Sequence, residues 1–227
     1  EITTRLVGSE MCIRDSSGEN CIAVAPGANY SLLPGSIIHF SKVIDEADII
    51  VMQAEIPYET IKRIALLAKQ KGKKVLFNPA PACLIDEELM KAIDILVVNE
   101  LEAAFISGIE YTGNNLEEIA LSLLQAGARN AVITLGSQGV YMKNDKEIIQ
   151  LPGYKVNAID TIAAGDTFCG ALAVICAQRE IDRDALSFAN AAAAIAVTRS
   201  GAQPSIPTLD EVKHFMLEKE LALSFNF

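Results

Sequence analysis

Residues 48–80, DIIVMQAEIPYETIKRIALLAKQKGKKVLFNPA, contain one complete strand–helix–strand unit. Its two ends, 48–53 and 74–80, are short runs too uniformly apolar for a sheet with one solvated face, so both predict buried strands. Between them, four apolar residues share one face of a helix: Ile61, Ile64, Ala65 and Ala68. Gly72 follows where a helix C-cap belongs. The stretch therefore predicts two parallel strands joined by a crossover helix.

The same alternation continues along the chain. DILVVNE (94–100) and AVITLG (131–136) are two further candidates for buried strands. The segment 116–126 between them is amphipathic and is followed by Gly127. Its apolar face consists of Ile119, Ala120, Leu123 and Leu124. This repetition predicts the α/β class, with a doubly wound, mostly parallel sheet that carries helices on both faces.

After Tyr141 the pattern changes. KNDKEIIQLPGYKV (143–156) predicts a hairpin that turns at 144–145 and a following Pro-Gly loop. Two Ala-rich helices are predicted next, at 165–179 and 182–199. The second is apolar around almost its whole circumference, so it should lie deep in the core.

The composition is that of a globular domain, since 51% of the 227 residues are hydrophobic and 21% are charged. Lys and Arg number 19 against 29 Asp and Glu, which gives a formal net charge of −10. Such a surface repels nucleic acid and anionic membranes, so neither is an expected partner. An anionic ligand would need a local device, such as a helix N-terminus, to bind against this field.

The five cysteines form no CxxC pair, and with two histidines there is no zinc-ligand spacing. An odd cysteine count predicts a reducing compartment, with Cys169 and Cys176 packed in the core. No apolar run approaches the ~20 residues of a membrane span, and the opening residues lack the apolar core of a signal peptide. We therefore expect a cytoplasmic protein.

Polar residues follow each strand predicted for the parallel sheet, at 53–55, 78–81, 99–102 and 134–139. Ligands of open α/β sheets bind at the carboxyl ends of the strands. These four segments are therefore where a site is expected.

The stretch DTIAAGDTFCGAL (160–172) carries the strongest chemical signal. Ala163, Ala164 and Gly165 are small residues at the start of a predicted helix, where backbone N–H groups and the helix dipole favour an anion. Asp166 in the first turn is electrostatically wasteful beside an anion, unless it accepts a proton from a hydroxyl that attacks phosphorus. The alternative is a carboxylate that merely stabilises the helix N-terminus.

Two common nucleotide motifs are absent from the sequence. No GxxxxGK[ST] occurs, which excludes a P-loop NTPase, and no G-x-G-x-x-G follows a strand. TLGSQG (134–139) places glycines at a strand end, which fits either a ligand-binding loop or an ordinary tight turn.

Five motifs together resemble the ribokinase/PfkB carbohydrate kinase family, and they occur in that family's order between about Ser17 and His214. They are NPAPA (78–82), NELEA (99–103), TLGSQG (134–139), DTIAAGDTF (160–168) and FANAAAAIAVTRSGAQPSIP (188–207). Within the family, the likeness is to the bacterial ribokinase branch, not to the fructokinase or adenosine kinase branches.

The resemblance implies roles for residues around the predicted helix start. Asp166 would bind the sugar and deprotonate its primary hydroxyl. Backbone amides across Ala163, Ala164 and Gly165 would form the anion hole for the transferring phosphoryl group. Glu55 would bind sugar hydroxyls; taken from the sequence alone, it is a helix-start carboxylate before Pro57.

The resemblance also implies a nucleotide site for ATP. Asn99 and Glu102 would order phosphate and the water shell of Mg²⁺, which suits the reluctance of that ion to dehydrate. Asn190 would approach the adenine. The remaining residues implied to line the site are Thr134, Gly136, Ser137, Gly139 and Gly165. Without the family, Glu102 would be a solvated helix residue and Asn190 a core amide bonded to backbone.

A potassium site is implied as well, with carbonyl or side-chain oxygens from Asp160, Ile162, Ala196, Arg199, Gly201 and Ser205. Arg199 can offer only its carbonyl, since its side chain is a cation. Oxygen-only ligation suits a hard ion, and the ion would activate by ordering the loop before the anion hole.

The function implied is ATP-dependent phosphorylation of the primary hydroxyl of D-ribose to ribose 5-phosphate, with ATP and a pentose as partners. The alternatives are a kinase for another furanose or a nucleoside, and a non-catalytic nucleotide-binding relative. Members of the family are expected to dimerise through a β-sheet lid.

The family's fold starts with a region that has no match here. It supplies a substrate-binding aspartate, a GGKGAN-like sugar loop, the first strands of the sheet and most of the lid. We therefore interpret 17–227 as the C-terminal portion of a kinase domain that is inactive by itself. Strands that would pair with the missing ones should expose an apolar edge.

TTRLVGSEMCIRDS (3–16) fits neither a helix nor a strand period. It resembles the translation of a transposase sequencing adapter, so we hypothesise that 1–16 is not native; a functional arm is the alternative. Sequencing the source locus should show other codons upstream of Ser17. Finding 1–16 encoded there in frame would defeat the hypothesis.

Overall fold

The computed structural model describes residues 9–14, 20–25 and 27–219, and for those before 27 it describes the backbone alone. In this part of the chain the strands are β1 (Ser9–Arg14), β2 (Asn20–Ala25), β3 (Ile49–Gln53), β4 (Lys74–Asn78), β5 (Ile95–Asn99), β6 (Ala131–Thr134), β7 (Val140–Lys143) and β8 (Ile148–Leu151). The α-helices are α1 (Ser41–Glu46), α2 (Tyr58–Gln70), α3 (Glu87–Met90), α4 (Glu100–Ser107), α5 (Leu116–Gln125), α6 (Ala164–Cys176), α7 (Arg183–Ala196) and α8 (Leu209–Glu218).

Strands β3 to β8 form one sheet in chain order. The first four run parallel, and β7 and β8 are added antiparallel. The β7–β8 hairpin turns where the sequence predicts, because the Asn144 side-chain oxygen accepts hydrogen bonds from the N–H groups of Lys146 and Glu147, each at 2.9 Å. The mostly parallel sheet predicted from the strand–helix alternation is confirmed.

Helices cover both faces of this sheet, as predicted. Side chains from alternate positions of one strand pack to opposite sides, so Phe77 of β4 lies with α2 to α5 while Leu76 lies with α6 to α8. The crossovers from β3 to β6 all run in one direction, and right-handed connections then place α2 to α5 on the same side. The other side is covered by the three helices that follow the hairpin.

Helix α7 lies deep in the core, as its sequence predicts. Its buried residues are Ala185, Leu186, Phe188, Ala189, Asn190, Ala191, Ala192, Ile195 and Ala196. Helix α6 packs beside it and buries both Cys169 and Cys176. Small alanine side chains let the two helices approach closely.

Strand β3 is the terminal strand of the sheet and, within the described residues, pairs with β4 alone. Val51 at its centre is 46% exposed. An open apolar edge, as expected from the resemblance, is therefore present in the part of the chain that the structure describes.

One expectation for the opening residues was wrong. The stretch 3–16 has no strand period, yet Ser9–Arg14 pairs antiparallel with Asn20–Ala25. Backbone hydrogen bonds can form a two-stranded ladder whatever side chains the strand carries, so the period of the side chains did not reveal it. The rest of the stretch 3–16 lies outside the described residues.

Among the described residues, no helix is long and apolar enough to cross a membrane.

We predict that Cys169 and Cys176 resist alkylation in the folded protein. Burial raises the pKa of each thiol to about 12, so almost no thiolate forms near neutral pH. Iodoacetamide at pH 8 should label half-buried Cys83 before Cys169 and Cys176, and should label these two only after urea is added. Peptide mass spectrometry measures the order, and rapid labelling of either buried thiol would contradict it.

We predict that these two thiols also make the free energy of unfolding fall with rising pH. In the unfolded chain a thiol titrates near pH ~8.5. Between that pH and about 12 the unfolded chain loses protons that the folded chain keeps, which favours unfolding. Urea titrations at pH 7 and pH 10 measure the slope, and Cys169→Ala should make it shallower.

Candidate active site

The four parallel strands end in polar residues, which lie together at the carboxyl ends of the strands: Gln53, Asn78, Asn99 and Thr134. The register places Gln53 opposite Asn78, and Asn99 opposite Thr134. The strand ends therefore bring together the polar segments that the sequence assigns to a site.

Helix α6 begins beside this edge with an unusual backbone. Ala163, its N-cap, has φ 60°, the left-handed conformation that alanine rarely adopts. An alanine side chain cannot cap a helix, and the first N–H bonded back into the helix is that of Thr167, to the Ala163 carbonyl at 2.9 Å. The N–H groups of Gly165 and Asp166 thus belong to the first turn, which has no partners within the helix.

There is room for a ligand in front of this turn. A Cβ atom built on Gly165 would meet nothing within 4 Å. The strained conformation of Ala163 and the open first turn together form a site that suits an anion.

Asp166 lies at the surface of this turn, and its carboxylate faces the strand ends. Its Oδ1 atom accepts a hydrogen bond from Gln53 Nε2 at 2.8 Å. Gln53 Nε2 also donates to Asn78 Oδ1 at 3.2 Å, and Asn78 Nδ2 donates to the Val97 carbonyl at 2.8 Å. The sequence patterns assign no role to Gln53 or Asn78, although both occupy strand ends.

Glu55 follows β3 and is exposed. It lines a groove of about 560 Å³ along the open sheet edge together with Gln53. The predicted sugar-binding carboxylate and the amide that bonds Asp166 therefore share one recess.

A second recess of about 480 Å³ lies between the turn after β6, the loop after β8, and helices α6 and α7, and Gly165, the neighbour of Asp166 in the chain, lines it. The structure brings together here most of the residues predicted for a nucleotide: Thr134, Gly136, Ser137, Gly139, Gly165 and Asn190. Ala164 lines the same cleft. Asn99 and Glu102 do not line it, although Asn99 is the register partner of Thr134.

The backbone geometry of the turn after β6 by itself requires glycine at two positions. Gly136 and Gly139 have φ 53° and 102°, and a Cβ atom on Gly139 would lie 2.1 Å from the Leu151 carbonyl oxygen. A tight turn and a ligand-lining loop are therefore both features of this segment.

Asn190 is buried within α7 at 8% exposure. Its Nδ2 atom donates to the Pro152 carbonyl at 3.0 Å, which is the backbone contact that a core amide needs. Asn190 also lines the cleft, so the bond fixes the loop after β8 against α7 at the edge of the recess.

Sequence reasoning missed the loop that forms one wall of this cleft. Its lining residues are Gly153, Tyr154, Lys155, Val156, Ala158 and Thr161. Tyr154 is held by an edge-on contact with Phe215 of α8, with ring centroids 5.3 Å apart. The Pro-Gly pair at 152–153 signals a loop, but nothing local indicates that it packs beside the glycine turn.

Asn99 and Glu102 form a reciprocal cap on α4. Asn99 Oδ1 accepts from the Glu102 N–H and Glu102 Oε2 accepts from the Asn99 N–H, each at 2.8 Å. Burial raises the pKa of the Glu102 carboxyl above its usual value, and the negative charge of Glu100 adds to the shift, against the lowering effect of the Asn99 N–H. The cap engages Oε2 of Glu102 and so holds the carboxylate in one position. A carboxylate held in this way suits an ion that is bound through its water shell.

The predicted potassium residues come from two loops that lie together and from the last residue of α7. Asp160 is 7% exposed, and its Oδ1 and Oδ2 atoms accept from the N–H groups of Ile162 and Gly201, each at 3.1 Å. Ser205 is fully buried and donates to the Ala202 carbonyl at 2.6 Å. The Arg199 guanidinium bonds Glu211 at 2.6 Å, so its side chain is turned to α8.

This donor set fits a monovalent cation better than a transition metal. Within residues 27–219 there is no group of three or more His, Cys, Asp or Glu side chains that could hold a metal ion. Carbonyl and hydroxyl oxygens around one buried carboxylate are hard ligands of low total charge. The predicted residues Ile162 and Gly201 offer backbone carbonyls in the same two loops, and the carbonyl of Ala196, the last residue of α7, accepts the N–H of Arg199 at 3.0 Å.

Curated relatives cover most of the chain. It is 40% identical over 200 residues to the ribokinase of Staphylococcus aureus, a match that covers 87% of this chain and 66% of the relative. It is 38% identical over 201 residues to the ribokinase of Haemophilus influenzae, covering 88% and 66%. The chain therefore spans about two thirds of the length of the curated relatives it matches.

Solved structures agree with the fold described above. The ribokinase of Thermotoga maritima superposes with a TM-score of 0.82 at 40% identity, covering 92% of this chain and 69% of that one. The ribokinase of Arabidopsis thaliana complexed with ribose and ATP gives a TM-score of 0.85 at 28% identity, covering 96% and 70%.

The sequence model of one protein family matches nearly the whole chain. Residues 2–209 match the pfkB family of carbohydrate kinases. This match and the identity to the curated relatives agree with the motifs found in the sequence. The chain belongs to the pfkB carbohydrate kinase family.

Proposed function

We propose that the whole protein transfers the γ-phosphoryl group of ATP to the primary hydroxyl of D-ribose, which yields ADP and ribose 5-phosphate. One observation carries the proposal. The Asp166 carboxylate accepts a hydrogen bond from Gln53, which lines one recess together with Glu55, and its chain neighbour Gly165 lines the other recess together with the glycine turn. Curated relatives named ribokinase support ribose as the acceptor.

The first step is binding of the two substrates in these two recesses. The nucleotide would occupy the cleft that ends at Ala164 and Gly165, with its terminal phosphate at the helix start. Glu55 would accept hydrogen bonds from sugar hydroxyls in the groove beside β3. The primary hydroxyl would then lie next to Asp166.

The chemical step moves one proton and one phosphoryl group. The hydroxyl oxygen attacks the γ-phosphorus in line, its proton passes to the Asp166 carboxylate, and the bond to the bridging oxygen breaks so that ADP leaves with the electron pair. Backbone N–H groups of the first turn of α6 would stabilise the charge on the transferring group, in the manner of an oxyanion hole. Their helix dipole favours the same charge.

The family implies two cations, and the residues fit both. Mg²⁺ supplies neutralisation of phosphate charge when bound, and Glu102 with Asn99 would hold its water shell. K⁺ would lie between the Asp160 loop and the loop 197–205, and so order the residues that precede the helix start.

We predict that replacing K⁺ with choline lowers the melting temperature, because an ion that binds the folded protein alone stabilises it. An unchanged melting temperature would contradict the potassium site.

We predict that Asp166→Asn lowers kcat of the whole protein by about 10²–10⁴-fold, the usual worth of a general base. Affinity for ATP should stay the same, because asparagine keeps the shape of the side chain and the backbone N–H groups remain. Coupled assay of ADP formation and calorimetric ATP titration measure the two effects. Asp184→Asn, a first-turn aspartate of α7, is the matched control. Loss of ATP binding in Asp166→Asn would instead make Asp166 a structural residue.

We predict that the 227-residue chain alone binds ATP but turns it over with ribose slowly or not at all. The cleft for the nucleotide is formed by residues 134–197, whereas the sugar groove lies along an open sheet edge. Calorimetric titration with ATP and an assay of ribose-dependent ADP release test the two halves. Ordinary kinase turnover by this chain would contradict the second half, and absence of ATP binding would contradict the first.

A further inference from the structure

A chain of hydrogen bonds connects the candidate base to the interior of the sheet. It runs from the Val97 carbonyl of β5 to Asn78 at the end of β4, then to Gln53 at the end of β3, and then to Asp166 of α6. The three donor–acceptor distances are 2.8, 3.2 and 2.8 Å. All of these groups lie on regular elements, so their positions are set by the sheet and by α6.

The direction of every bond in this chain is determined by its buried end. A carbonyl oxygen can only accept, so Asn78 must turn its NH₂ group toward Val97. Its side-chain oxygen then faces β3 and must accept, which turns the NH₂ group of Gln53 toward both Asn78 and Asp166. Amide orientation is otherwise ambiguous, but here the backbone carbonyl decides it.

We propose that Gln53 is the positioning residue of Asp166 and that Asn78 holds Gln53 in the donating orientation. This inference rests on the proposed function, in which Asp166 is the base. Gln53 donates to Oδ1 of the carboxylate and leaves Oδ2 to receive the proton of the attacking hydroxyl. The Gln53 NH₂ group occupies Oδ1 and cannot itself accept a proton. The carboxylate therefore presents one defined oxygen, Oδ2, to the substrate.

The need for such a residue follows from the exposure of Asp166. An exposed carboxylate in a helix first turn can rotate toward solvent or toward neighbouring N–H groups. A hydrogen bond from a strand end prevents this, because β3 and β4 are paired in register at Gln53 and Asn78. Misplacement of a reacting group by about 1 Å can cost 10²-fold in rate.

Nuclear magnetic resonance of the 227-residue chain tests the proposal without any need for turnover. In the unsubstituted protein the Gln53 side-chain NH₂ protons should resonate downfield of those of exposed Gln70. Asp166→Ala and Asn78→Ala should each move the Gln53 signals upfield. Gln53→Met should shift the carboxyl carbon of Asp166, whereas the matched control Gln70→Met should not.

Unchanged Gln53 signals in both alanine variants would overturn the proposal, and so would an unchanged Asp166 carbon in Gln53→Met. The backbone amide spectrum of each variant checks that the fold is kept.

Kinetics of the whole protein add a readout of positioning. Gln53→Met should lower kcat by about 100-fold while KM for ATP is unchanged. Asn78→Ala should lower kcat too, and should have no further effect in the Gln53→Met background, since it acts through Gln53. If the effects of Asn78→Ala and Gln53→Met on kcat were fully additive, the proposal that Asn78 acts through Gln53 would be overturned. Absence of turnover in the unsubstituted whole protein would count against the proposed function, while the resonance data would still decide the hydrogen bonds.

Discussion

The parallel register of β3 to β6 is the constraint on which the site depends. It brings Gln53, Asn78, Asn99 and Thr134 together at the carboxyl ends of the strands, where α6 begins. Strands β4 to β6 are buried on both faces, so a slip of one of them by one residue would exchange its side chains between the two faces and break the packing of two cores at once. The same packing that stabilises the fold therefore sets the positions of the polar groups.

The helix start of α6 concentrates opposite electrostatic features in a few residues. The chain as a whole carries a formal charge of −10, which opposes an anionic ligand. The first turn of α6 suits an anion in spite of this charge, because the N–H groups of Gly165 and Asp166 have no partners within the helix and Ala163 cannot cap them. Asp166 in the same turn adds a negative charge where an anion is expected, and its hydrogen bond from Gln53 holds that charge toward the strand ends.

Two loops keep this helix start in place. The buried carboxylate of Asp160 accepts N–H groups from its own loop and from Gly201, and the Val197 carbonyl accepts the N–H groups of Ile159 and Asp160. The segment before α6 is thus bonded to the segment after α7, and the two helices pack side by side. A cation between these loops would reinforce a connection that the protein already makes.

The sequence by itself determined the α/β class and the approximate positions of strands β3 to β6 and helices α2, α5, α6 and α7, and it left Asp166 as either a base or a carboxylate that stabilises the helix start. Those features are local, because periodicity, small residues and a first-turn aspartate can each be recognised within a short segment. It did not reveal strand β1, since backbone pairing leaves no necessary pattern in the side chains. Only the tertiary structure decided that Gln53 donates to Asp166, 113 residues away, and that the loop after β8 walls the cleft. Contacts between residues so far apart depend on how the helices cross the sheet, and no local pattern of residues encodes that crossing.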